Sequence, residues 1–138
     1  MTLREIFIQE LMALLAATPS FPAQVERSIA VAFSREESPV LVIHRGAEGV
    51  EADLSGEAIR ECEILVSVIT RSDVPDQQAD SIMEVAHPLL MAYRADNLLQ
   101  MWEVGTNAPI FANTDGQACM LTTRYRAQYR TDTLSLSA

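Results

Sequence analysis

The sequence predicts an α+β fold: a mainly antiparallel β-sheet with two helices packed on one face. Three observations lead there. Apolar residues recur at helical spacing near the N-terminus and again around residues 79–93, and the segments between and after them alternate with period two. The strand-like segments are mostly joined by polar stretches of turn length, which favours antiparallel neighbours over crossover connections. At 138 residues, with 49% hydrophobic and 21% charged side chains, the chain has material for one core, so residues 1–138 are read as a single domain.

Residues 2–17 open with Thr2 and Glu5 at capping-box spacing. Leu3, Ile6, Phe7, Leu11, Leu14 and Leu15 then form one stripe, and Pro19 and Pro22 end the helix. This stretch carries Glu5 and Glu10 without a basic leader, which fits an amphipathic helix and not a signal peptide. Residues 28–33, with Ile29, Val31 and Phe33 alternating, and residues 39–44 read as strands joined by the polar residues 35–38. Residues 45–57 are glycine-punctuated, acidic and poor in core residues, and are expected to form a long flexible loop.

Residues 58–70 form the clearest strand. Cys62, Ile64, Val66 and Val68 share one face; Glu61, Glu63, Leu65, Ser67 and Ile69 share the other. Pro75 and Asp76 open the second helix near Asp73, and Pro88 predicts a kink or break near His87. Residues 102–104 and 109–112 are shorter strand candidates, and residues 113–116 have hairpin-turn chemistry. Residues 117–130 read as one long strand with Cys119, Leu121, Thr123, Tyr125, Ala127 and Tyr129 inward. Met120, Thr122, Arg124, Arg126, Gln128 and Arg130 face the other way. Residues 131–138 are expected to fray.

The chemistry is sparse. A net charge of −9 repels phosphate backbones, which argues against general nucleic-acid binding, and all ten basic residues are arginine. No apolar run is long enough to span a membrane. Cys62 and Cys119 belong to no metal-binding pattern and read as small core side chains in a reducing compartment. No nucleophile motif accompanies His44 or His87, and no glycine-rich phosphate loop is present. The residues therefore nominate no catalytic, cofactor-binding or metal site. Glu48, Glu51, Asp53 and Glu57 lack the register of a calcium loop and read as a solvated charge run.

The feature that stands out is charge placement. Residues 36–63 hold eight acids against two arginines, whereas Arg124, Arg126 and Arg130 project from one face of one strand. Two readings follow. The charges pair across strands within one sheet, or the acidic side of one subunit (Glu48, Glu51, Asp53, Glu57, Glu61, Glu63) meets the arginine face (Arg124, Arg126, Arg130) of the next. Leu65, Ile69 and Met120 on the outward faces favour the interface.

The middle of the chain resembles the minor tail protein U family, the tail terminators of long-tailed bacteriophages. The likeness rests on Ala30-Val31-Ala32-Phe33, Pro39-Val40-Leu41-Val42 with Gly46-Ala47-Glu48, Glu61 to Val68, and Val74-Pro75-Asp76 opening a helix that carries Pro88. It spans about residues 3–130, with residues 94–116 departing from the family's pattern. The resemblance implies a non-enzymatic virion protein without cofactor, located in the virion tail and in the host cytoplasm before assembly. It implies a subunit that forms a hexameric ring, monomeric in isolation, which halts tail-tube growth and meets the tail-tube and head-completion proteins. The family's mobile interface loop would correspond to residues 45–57. Another head–tail joining or minor tail protein, a regulatory protein using the arginine face, and a small ligand-binding or enzymatic module around His87, Arg94 and Trp102 are the alternatives.

Overall fold

A computed structural model of the chain describes residues 1–28, 39–111 and 117–137. The elements are α1 (Leu3–Ala16), β1 (Gln24–Glu26), β2 (Val40–Ala52), β3 (Glu57–Arg71), α2 (Pro75–Met91), β4 (Leu98–Thr106), β5 (Ile110–Phe111) and β6 (Ala118–Asp132). The sheet runs in the order β1-β2-β3-β6-β4, with β5 also paired to β6. Every pairing is antiparallel except β1 with β2, so the α+β expectation holds. The sequence did not anticipate β1. The predicted strand over residues 28–33 (apart from Ser28), its connection at 35–38 and the turn at 113–116 lie outside the described residues.

Thr2 caps α1 by accepting a hydrogen bond from the Glu5 amide at 3.3 Å. The return half of the capping box is not made, because the Glu5 carboxylate instead takes two hydrogen bonds from Arg27, at 2.9 and 3.1 Å. That guanidinium holds the Glu5 carboxyl below its usual range and ties α1 to the segment after β1. α2 starts with Pro75 at its first position, where a missing N–H costs nothing. It passes through Pro88 to Met91 without ending, so of the kink or break expected near His87 the break does not occur. Pro88 and Glu84, whose carbonyl loses its donor, are both exposed, so water can serve the freed oxygen.

Both helices pack on the face formed by Leu41 and Ile43 of β2, Cys62, Ile64, Val66 and Val68 of β3 and the odd-numbered residues of β6. Phe7 of α1 meets Tyr129 edge-on at 5.3 Å and Tyr93 at 6.4 Å, which keys the helix layer into the sheet. The long β3–β6 ladder keeps fifteen residue pairs in unbroken register, and this fixes which side chains face the helices.

Two expectations about flexible segments are corrected. Residues 45–57 are not a loop: β2 continues to Ala52, and only a tight turn separates it from β3. A bulge between Arg45 and Glu48 accommodates the glycine-containing stretch, and Gly46 leaves room for Glu63, whose carboxylate a Cβ there would strike. In the turn, Gly56 takes φ 89° and Asp53 Oδ1 accepts from the Ser55 amide, the Ser55 hydroxyl and the Glu57 amide. Nor does the tail simply fray. Thr131 and Asp132 belong to β6, Thr133 donates to the Gly56 carbonyl at 2.8 Å, and Leu136 accepts from Leu3 at 2.9 Å.

All three tyrosines of the chain, Tyr93, Tyr125 and Tyr129, are buried, and burial first of all pushes their phenols well above the ordinary value. The unfolded chain therefore releases phenolic protons at lower pH than the folded one. Stability is complete below about pH 10 and falls above it. Phenolate absorbance should rise in one step together with loss of circular dichroism; a gradual titration near pH 10 in folded protein would contradict this burial.

Candidate subunit interface

The face of the sheet away from the helices carries most of the charged residues singled out in the sequence. Because β3 and β6 are neighbours, the acids and arginines that lie far apart in sequence become cross-strand neighbours. Glu63 is paired in register with Arg126, and Arg130 with Ile59 between Glu57 and Glu61. Arg130 contacts Glu57 at 3.2 Å and Arg126 reaches Glu61 at 4.0 Å, while Gln128 donates to Glu61 at 3.2 Å. The expected segregation of charge onto separate elements is thus undone by the fold. Arg124 stands apart: half-buried opposite Leu65, its Nε has no hydrogen-bond partner among the described residues.

The acidic residues divide into three environments. Glu57, Glu61 and Glu63 belong to the charged ladder on the open face. Glu51 is exposed near the end of β2, and Asp53 is the hub of the β2–β3 turn, its carboxyl held below the usual range chiefly by the Ser55 hydroxyl. Glu48 is not part of a solvated run. The bulge turns it toward the helices, where it accepts hydrogen bonds from Arg4 at 2.6 Å, Tyr129 at 2.5 Å and Arg60 at 3.5 Å. Arg60 also donates to Thr131 at 2.9 Å. The Glu48 side chain is only 13% exposed and that of Arg60 12%. The sequence carried one signal for this, the glycine and alanine at 46–47 interrupting an alternating strand, which is how a bulge reads.

The opposite end of the open face is apolar. Val40, Val42 and Ile69 are buried, with Met120 packed against them, so Ile69 is not the exposed residue expected from its facing. Beside them a polar chain crosses three strands: His44 Nε2 lies 3.1 Å from Ser67 Oγ, which lies 2.7 Å from Thr122 Oγ1. Burial first, and then Arg27, lower the His44 pKa and keep the ring neutral.

The nominated His87, Arg94 and Trp102 do not meet. His87 lies on the helix side, its Nδ1 2.7 Å from the Tyr125 hydroxyl and its ring stacked on that tyrosine. It lines an open cleft of about 310 Å³ with Asp80, Glu84 and Glu103. Trp102 pairs in register with Arg126 on β6, whereas Arg94 donates to the carbonyls of Met91 and Tyr93 beyond the end of α2. Cys62 and Cys119 are buried and free. Cys62 pairs with Ala127, eight residues along β6 from Cys119, so they stand about 26 Å apart. Burial, reinforced by Glu48, pushes the Cys62 thiol up to about 11, which makes it a poor nucleophile. Among the described residues no cluster of metal-ligating side chains occurs, and no helix is long and apolar enough to cross a membrane.

No protein-family model matches the chain, and no curated protein is similar to it. Among solved structures the fold is similar to a chain in the virion of a native gene transfer agent particle. The TM-score is 0.63 at 14% identity, over 88% of this chain and 92% of that one. At that identity the likeness is one of fold, the same α+β arrangement across nearly the whole of both chains.

The two kinds of charge make different contributions. Replacing Glu48 with Gln removes the anion shared by two sheltered guanidinium groups and should cost about 3 kcal/mol in urea unfolding. Arg126→Ala and Arg130→Ala break exposed pairs and should each change stability by less than about 1 kcal/mol. If the surface changes proved as costly as Glu48→Gln, the distinction between the two faces would be wrong.

Proposed function

We propose that this chain is a structural subunit of a tailed-phage-like virion, and more narrowly a tail terminator or completion protein that forms a ring at the head-proximal end of the tail tube. The observation that carries the proposal is the coincidence of its fold, over nearly its full length, with a chain of a virion particle. The resemblance of its sequence to the minor tail protein U family supplies the narrower assignment.

The chemistry supports a role in assembly. His87, Arg94 and Trp102 do not meet, the Cys62 thiol is held protonated, and the arginines and acids of the open face offer an extended polar surface. In this reading the partners are further copies of the chain, the tail-tube protein and the head-completion protein. The protein resides in the virion tail after assembly in the host cytoplasm, binds no specific nucleic acid and catalyses no reaction. Glu51, Glu57, Glu61, Glu63, Arg124, Arg126 and Arg130 contribute to subunit contacts through the open face, Glu48 acts indirectly by holding β2, and Asp53 both fixes the β2–β3 turn and adds negative charge beside its tip.

Purified chain added to growing tail tubes from the same phage or prophage should cap them, giving tubes of fixed length with a ring visible at one end in electron micrographs. Tubes that keep lengthening, with no density added at either end, would overturn the assignment.

A further inference from the structure

The turn between β2 and β3 is a rigid projection. Three hydrogen bonds converge on Asp53 Oδ1, Gly56 holds the reversal, and Thr133 ties the C-terminal tail to it. At its tip Leu54 is fully exposed, and Leu134, on the attached tail, is 95% exposed. Glu51 and Asp53 flank the tip with negative charge. A pre-organised aliphatic side chain held in water loses little freedom when it binds, which is what an anchor residue requires.

A receptor of matching chemistry lies elsewhere on the molecule. Between the end of α2 and the start of β4, Met91, Tyr93, Leu98, Leu99 and Met101 line a groove of about 220 Å³, with Arg94 on its rim. Arg94 is exposed, and its guanidinium is steered over the groove's edge by Nη1 bonds to the Met91 and Tyr93 carbonyls at 3.0 and 2.8 Å. Among the described residues it forms no ion pair with a carboxylate. Only β6 lies between β3 and β4, and Glu57 pairs with Asp132 as Leu98 pairs with Tyr129, so the turn and the groove are separate surfaces at one end of the sheet, two strands apart.

We propose that Leu54 of one copy seats in the groove of the next, with the acidic flank of the turn against Arg94. The contact is head-to-tail, and repetition closes it into a ring where the rotation allows. It rests on the ring-forming reading above and specifies the two surfaces that would meet. Chemistry selects this occupant: an aliphatic tip flanked by carboxylates fits a groove of leucine, methionine and tyrosine side chains, with Gln100, that carries a guanidinium.

The test uses the full chain. Light scattering from micromolar to near-millimolar concentration should show wild-type mass rising, and Leu54→Ser or Arg94→Glu should weaken association at least about tenfold. Circular dichroism should be unchanged, because both side chains are exposed. An equimolar mixture of the two variants should regain association but stop at dimers, since one intact tip and one intact groove remain to pair. Leu54→Cys mixed with Leu99→Cys should give a mixed disulfide on oxidation, the native cysteines being buried. Variants that associate as strongly as wild type, or a wild type that stays monomeric with no mixed disulfide, overturn this contact. The capping of tail tubes then decides independently whether the ring reading stands.

Discussion

The placement of Glu48 is the constraint on which much of the remaining architecture depends. One anion receives Arg4 from α1, Arg60 from β3 and the Tyr129 hydroxyl from β6. It therefore joins the N-terminal helix to the β2–β3 hairpin and to β6, which are distant from it in sequence. Three sheltered polar groups sharing a single carboxylate leave little tolerance for displacement, because any of them left unpaired would bear its own desolvation cost. The bulge at 45–48 makes this possible. Without the slip in register the strand's alternation would send position 48 to the other face, and the two arginines would face an apolar layer with no counter-charge.

The same register divides the sheet into faces with different tasks. The helix side is filled by Phe7, Tyr125, Tyr129 and aliphatic residues, and its energy comes from burial. The open side changes character along its length, from the buried Val40, Val42 and Ile69 through the His44–Ser67–Thr122 chain to the ladder of glutamates and arginines. Exposed ion pairs contribute little to stability, so this ladder can be rearranged at small cost. A surface of that kind is compatible with the assembly role proposed above.

Periodicity made much of this legible. The facing of β6 is as its alternation predicted, with Cys119, Leu121, Thr123, Tyr125, Ala127 and Tyr129 inward, and both helices lie close to where their stripes placed them. Misreadings arose where local signals compete with tertiary ones. Glycine and acidic residues over 45–57 lower strand propensity, but a long antiparallel partner in β3 supplies the hydrogen bonds that draw the segment into the sheet. The short β1 gave no signal, because three residues carry no measurable period and its parallel pairing with β2 is a tertiary event. The charged residues of β3 and β6 were legible as a set. Their mutual pairing was not, because it depends on β3 and β6 being neighbours across more than fifty residues of sequence.

This division bears on how copies of the chain could recognise one another. Charges that already have partners in the monomer must exchange those pairs on association, and the net gain from such an exchange is small. They can orient an encounter without holding it. Tight association then falls to apolar surface that remains in water in the monomer, and the rigid β2–β3 turn is where Leu54 is most fully exposed. A protein with net charge −9 also repels its copies at long range. In the proposed contact, a short-range apolar anchor beside a guanidinium that has no carboxylate partner among the described residues overcomes that repulsion only when two copies are correctly aligned. Such an arrangement favours ordered closure over unspecific aggregation.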